Sequence, residues 1–354
     1  MNAPPYNAID YTFADTIPAP GKVMQVAPDI LWLRMPLPFA LNHINLWLLR
    51  DKGGWAIIDT GFGHDETKIY WEQIFDSVLA GQKITRVIVT HYHPDHIGSA
   101  AWLCQRWQVP LWITMAEYLT AHAVRDNRGG FEPAAAHALF RAHGLTDTQL
   151  KAQDTRGNAY ARGVPALPAT YVRIIDGDVL RIGQHDWRVK TAFGHAPEHA
   201  TFYCDELKVL ISGDQILPRI TTNVGVWGNQ PDANPLDLFL RSLDFFEPLA
   251  RDTLVLPSHD RVFRGLHVRL QQLREHHAAR LDELVHALDI PKTAADLLPV
   301  LFKRALDDHQ LMFAIGETVA HLNYLFNQKR IVRSQNADGK YYFARSSVHV
   351  EGAP

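Results

Sequence analysis

Thr90-His91-Tyr92-His93-Pro94-Asp95-His96 closes the strand-like run Arg86-Val87-Ile88-Val89-Thr90, and the rest of the chain is read from it. Four metal-capable side chains fall within six positions at a strand-to-loop junction. Imidazoles this crowded would repel one another if charged and would lack partners if buried neutral, whereas a divalent cation satisfies them together. In an extended stretch His91 and His93 project to one side, and Asp95 and His96 open the helix that follows, so the segment can offer two pairs of ligands to two neighbouring ions.

A dinuclear hydrolytic centre also needs a third nitrogen for one ion, a further one for the other, and a carboxylate between ions about 3.5–4 Å apart. Each missing group appears at the end of an apolar strand, where α/β proteins build their sites. His195 follows Val189 to Gly194, Asp214 follows Val209 to Gly213, and His259 follows Leu254 to Ser258. Gly194 and Gly213 let the backbone turn tightly beside the ions. A strand-end His or Asp alone carries little weight; four segments in this order carry much more.

His-x-His-x-Asp-His, then Gly-His, Gly-Asp and Ser-His, set after the strand end Ile57-Ile58-Asp59-Thr60-Gly61, resembles the metallo-β-lactamase superfamily. The resemblance covers about residues 22–262. It implies an α/β fold, an αββα sandwich of two packed sheets with helices outside and metals at one edge. It further implies that His91, His93 and His195 hold the first metal, that Asp95, His96 and His259 hold the second, and that Asp214 bridges them. Asp59 would be hydrogen-bonded to a ligand or loop rather than to metal. Where the family has Gly-His-Thr-Pro-Gly-His, this chain reads Gly194-His195-Ala196-Pro197-Glu198-His199, so Glu198 replaces a glycine. Two divalent ions are expected, zinc first, with manganese or iron as alternatives.

Composition is that of an ordinary globular chain: 354 residues, 47% hydrophobic and 21% charged, with a formal net charge of -3. That charge gives no basic footprint for nucleic acid, and no apolar stretch is long enough for a spanning helix. The N-terminus lacks the basic and apolar regions of a secretory signal, so the cytoplasm is the expected compartment. Cys104 and Cys204 are too few for a disulfide framework and are expected as core thiols.

An N-terminal extension, 1–21, precedes a catalytic domain over 22–264. That domain opens with a β-meander turning at Asp51-Lys52-Gly53-Gly54 and continues with helices expected over 65–79 and 97–107. A helical insertion at about 115–165, rich in Ala, His, Arg and Gly, reads equally as a lid or a dimer arm, and a homodimer stays open. Strands resume from Tyr171. His122, His137, His143 and His276-His277 match no motif and are read as structural or surface histidines.

The third region, 265–354, begins with a long helix whose apolar stripe runs from Leu266 to Leu288. A short helix capped near Thr293, a helix over 316–328 and a hairpin turning at Asn336-Ala337-Asp338-Gly339 follow, which is the order of a winged helix. The stretch Glu317 to Phe326, in the recognition-helix position, is mostly apolar with little positive charge, so packing within the protein is expected rather than DNA binding.

The expected activity is a dinuclear metal-dependent hydrolysis of an ester-type bond (thioester, lactone or carboxylic ester) in a small molecule. The hydroxide would bridge the ions, with Asp95 orienting it while remaining a ligand. The loop after Asp214 would wall the pocket, with Arg219, Ile220 and Asn223 as substrate contacts; for Arg219 a surface salt bridge is the competing reading. An endoribonuclease is the second function, and a winged-helix regulatory or binding protein, from another class, the third.

Overall fold

Alternating apolar residues in the first part of the chain form an antiparallel meander of β1 (Val23–Ala27), β2 (Ile30–Pro36), β3 (His43–Asp51) and β4 (Gly54–Ile58). The chain is described here from a computed structural model, which covers residues 8–39, 41–154 and 157–346. Residues 1–7 of the expected extension and 347–354 of the expected tail lie outside the described residues. Gly53, with φ +84°, makes the β3–β4 turn where the sequence placed it.

Helix α1 (Asp65–Ile74) runs into a π-helical turn, Phe75–Leu79, and leads to β5 (Lys83–Ile88). The helix expected over 97–107 is two: α2 (Pro94–Ile97) and α3 (Ala100–Trp107). Gly98 lies at the break, where a Cβ would meet the carbonyl oxygens of Pro94 at 2.3 Å and Gly163 at 2.4 Å. Next come β6 (Leu111–Ile113), α4 (Met115–Arg125), α5 (Pro133–Ala142), α6 (Asp147–Asp154), α7 (Ala159–Gly163) and β7 (Tyr171–Arg173). The seven strands form one sheet in sequence order, antiparallel up to β4 and parallel from β4 to β7.

A second, five-stranded sheet has the order β12-β11-β10-β9-β8, built from β8 (Val179–Ile182), β9 (His185–Ala192), β10 (His199–Cys204), β11 (Val209–Gly213) and, after α8 (Pro235–Leu243), β12 (Leu254–Pro257). Only the β11–β12 pair is parallel. Inward-facing residues of the two sheets share one core, in which Trp32, Trp47 and Ile58 pack with Trp187, Val189, Phe202 and Ile211. The other face of the seven-stranded sheet buries Leu46, Ile57 and Val87 against Trp71, Leu103 and Tyr118 of α1, α3 and α4. Period-two alternation thus becomes two apolar layers. Cys104 and Cys204 are buried free thiols.

The remaining elements are α9 (Leu266–Ala287), α10 (Ala294–Leu301), α11 (Asp308–Asn327), β13 (Ile331–Gln335) and β14 (Tyr341–Arg345). Thr293 caps α10 in a reciprocal box with Asp296. Helix α11 starts two turns before the expected 316 because Asp307 and Gln310 make a second such box.

Two compact units emerge. The first comprises the described residues of Met1–Asp126, Ala159–Thr222 and Leu243–Leu270 and contains both large sheets; the second comprises those of Asn127–Asn158, Asn223–Ser242 and Gln271–Pro354. The stretch expected as one insertion, 115–165, is therefore shared: α4 and α7 belong to the first unit, α5 and α6 to the second. Likewise the second unit is not the contiguous 265–354, since residues 223–242 also belong to it. Within it, Thr318 to Asn323 and Leu325 of α11 are all buried, so the stretch in the recognition-helix position offers no basic face. Among the described residues no helix is long and apolar enough to cross a membrane.

Candidate metal centre

Four strand ends of the first unit bring the seven sequence-selected ligands together. His91, His93, His195 and Asp214 offer ligand atoms all within 4.8 Å of one another, and so do Asp95, His96 and His259. In the first group His91 Nε2 lies 2.9 Å from His93 Nδ1 and 3.2 Å from His195 Nε2. In the second, His259 Nε2 lies 3.4 Å from Asp95 Oδ2. Asp214 divides its oxygens: Oδ2 is 3.5 Å from His195 Nε2, while Oδ1 is 3.5 Å from His96 Nε2 and 3.3 Å from His259 Nε2.

The ring orientations have identifiable causes. Asp59, at the end of β4 with φ +60°, accepts the Thr90 N–H (2.8 Å) and hydroxyl (2.9 Å) and pairs with His96 Nδ1 at 2.8 Å. His91 Nδ1 meets the Thr90 hydroxyl at 3.0 Å, and His259 Nδ1 donates to the His43 carbonyl at 2.9 Å. With Nδ1 engaged outward, His91, His96 and His259 each turn Nε2 toward the cluster.

Burial and mutual charge make the site unstable as a set of free side chains. Burial, then the neighbouring His96 and His93, hold the His91 imidazole well below its usual range, and burial with His195 pushes His93 down to about 3. For His259 burial opposes the charge, but Asp214 and Asp95 raise it to about 10; His96 is raised against burial by Asp59, Asp214 and Asp95. Both carboxyls are lowered despite burial, Asp95 by His96 and His259, and Asp214 by His259 and His96. His96 Nε2 and Asp214 Oδ1 are buried without a hydrogen-bond partner. Orphaned nitrogen and oxygen atoms converging in one buried place fit divalent cations of the zinc type.

Several supporting residues escaped the sequence reading. His199 lies under His91, ring centroids 4.6 Å apart, and its Nε2 accepts the Asp214 N–H at 3.1 Å. A Cβ at Gly213, φ +54°, would stand 2.3 Å from that imidazole, so only glycine fits there. The second His of Gly-His-x-Pro-x-His was visible in the sequence. Asn45 Nδ2 donates to the Pro257 carbonyl at 2.8 Å, and His43 Nε2 accepts the Asp260 N–H at 2.9 Å; together they hold the loop carrying His259. Glu117 of α4, fully buried, accepts N–H groups from Tyr92 and Glu198, and burial pushes its carboxyl up to about 8. Nothing in the local sequence marked these three.

The three pocket residues have separate fates. Arg219 is exposed, ion-paired with Asp260 at 3.0 Å and stacked over Tyr11, which is the surface salt bridge its sequence allowed. Ile220 is exposed. Asn223 falls in the second unit, where its Nδ2 donates to Glu317 at 3.1 Å.

The model of the metallo-beta-lactamase superfamily matches residues 41–259, and that of the metallo-beta-lactamase-like C-terminal domain matches 281–346. A solved beta-lactamase domain protein from Burkholderia ambifaria is 48% identical with a TM-score of 0.89, over 95% of this chain and 98% of that one. A probable metallo-hydrolase of Bacillus subtilis, YqjP, is 23% identical over 89% of this chain and 97% of its own length. An atrochrysone carboxyl ACP thioesterase of Aspergillus fumigatus is 24% identical over 78% of this chain, which spans only 52% of that relative. With both sheets, the ordered strand-end ligands and the family match in agreement, the chain belongs to the metallo-beta-lactamase superfamily and is a metal-dependent hydrolase of it.

Proposed function

We propose that this hydrolase uses two divalent ions, zinc first among them, to cleave an ester-type bond in a small molecule, with a thioester ahead of a lactone or carboxylic ester. The observation that carries the two-ion reading is the division of Asp214, one oxygen toward His195 and the other toward His96 and His259. The thioester preference is supported by the activity named for the fungal relative.

His91, His93 and His195 would hold one ion and Asp95, His96 and His259 the other, with Asp214 between them. Ions so held supply Lewis acidity toward a carbonyl and lower the pKa of water from 15.7 toward about 7. Asp95, whose Oδ2 lies 3.4 Å from His259 Nε2, would orient the nucleophilic water, accept its proton as it attacks and pass that proton to the leaving sulfur or oxygen. Asp59, Thr90 and the His43 carbonyl fix the rings, so little reorganisation accompanies the reaction.

The test is to purify the protein, quantify its metals, and assay acyl-CoA thioesters, acyl-homoserine lactones, p-nitrophenyl esters, cephalosporins and single-stranded RNA under one condition. Metal-dependent turnover of a thioester or another ester is expected. RNA cleavage alone, or full activity in metal-stripped protein, would overturn the proposal.

A further inference from the structure

Thr114-Met115-Ala116-Glu117 has the spacing of a capping box, in which Glu117 should reach back to the backbone N–H of Thr114. The box is not made: Thr114 precedes α4 with no side-chain cap bond. Glu117 instead turns inward, where its Oε1 accepts the Glu198 N–H at 2.6 Å and its Oε2 accepts the Tyr92 N–H at 2.9 Å. The vacated helix end is served from elsewhere in the chain. Glu198 Oε2 accepts the Ala116 N–H at 3.3 Å, and the Glu198 carbonyl accepts the Thr114 hydroxyl at 3.1 Å.

This exchange gives up a local cap and buries a carboxyl with no Lys or Arg partner among the described residues, which is costly. What it gains is specific. Tyr92 lies between His91 and His93, and Glu198 lies three residues after His195, so one carboxyl group spans the two loops that carry the first trio of imidazoles. A side chain with a single acceptor oxygen cannot serve both N–H groups in the same geometry. The exchange also accounts for a glutamate at 198 where the superfamily motif has glycine, because that side chain caps α4 in place of Glu117.

We propose that Glu117 is a positioning residue for the first trio: the two oxygens of its carboxyl tie the His91–His93 loop to the His195–His199 loop before any ion arrives, and Glu198 replaces it as the cap of α4. The inference rests on the two-ion reading, which the metal content of the unaltered chain tests separately.

The experiment compares the unaltered chain with Glu117→Gln, each loaded with cobalt(II) and dialysed against graded chelator. Metal content, the visible absorption of cobalt and the unfolding temperature are followed together. In Glu117→Gln the ion of the first trio should be released at about 10–100-fold lower chelator strength, the usual range for the loss of such a support, while the other ion stays. Release of both ions in step with a falling unfolding temperature would mark a merely structural role and overturn the proposal, as would release unchanged from the unaltered chain. Should the variant fail to fold, amide hydrogen exchange on the metal-stripped unaltered chain decides. Slow exchange at Tyr92 and Glu198 is the expected result, and exchange as fast as in an open loop overturns it.

Discussion

His91, His93 and His195 meet with only the far oxygen of Asp214 beside them, whereas His96 and His259 face Asp95 and the near oxygen of Asp214. Burial acts on both trios, yet His91 and His93 of the first are driven down while His96 and His259 of the second are driven up. The first is a set of neutral donors kept neutral by burial and by one another. The second is a small salt-bridge network in which protons occupy the places that a cation would take. Asp214 lies between two clusters of unlike charge, so changes that separate them should have unequal consequences.

The largest effect is expected from removing the shared element. Asp214→Ala leaves each trio without its common oxygen, and turnover should fall by at least the 10²–10³-fold typical of losing one preorganised electrostatic group. Steady-state kinetics with a metal assay reads this, and turnover within a few-fold of normal would break the bridging reading. His93→Ala and His259→Ala should divide the centre next, each lowering the metal content from about two ions per chain toward one. Cobalt absorption should differ between the two variants, since each keeps the other trio. Loss of both ions in both variants would mean that the trios are one site.

Asp59→Asn should be milder. It preserves volume but turns a carboxylate that accepts from Thr90 and His96 into an amide, and supports of this kind are worth about 10–100-fold in metal affinity. The weakening should fall on the ion of the second trio, to which His96 belongs. Equal weakening of both ions would show that Asp59 acts through Thr90 and His91 as well.

How much of this was legible in the sequence follows from the range of each interaction. The clustering of the candidate ligands could be read because their segments each lie just beyond an apolar strand, and Gly194 and Gly213 mark two of those turns with positive φ. The strands of both sheets could be read from short, β-rich apolar runs bounded by turns, and the C-terminal hairpin from its turn. Glu117 could not, because its partners lie 25 and 81 positions away and its own neighbourhood reads as an ordinary helix cap. The Asn45 contact spans 212 positions. The helices of 115–165 could be read as helical, but their division between the two units depends on where each helix packs, which local pattern does not show. Supporting contacts join distant segments, so local pattern carries no trace of them.

Acidity should separate the trios by the smallest but most diagnostic margin. In metal-free protein the His259 ring is pushed up to about 10 and His96 well above its usual range, so both carry protons at pH 7; His93 is pushed down to about 3 and His91 well below its usual range, so neither does. A cation entering the second trio must expel protons, and its affinity should weaken about tenfold per pH unit for each proton displaced as pH falls below 10. A cation entering the first trio expels no proton from His91 or His93 in the neutral range, so as far as these two rings set it, its affinity should stay flat there. Titration with a metal-buffered chelator between pH 6 and 9 should therefore give one steep and one flat affinity, and the steep one should vanish in His259→Ala. Two affinities with the same slope would mean that the bound ions, rather than the surrounding side chains, set the electrostatics of both halves.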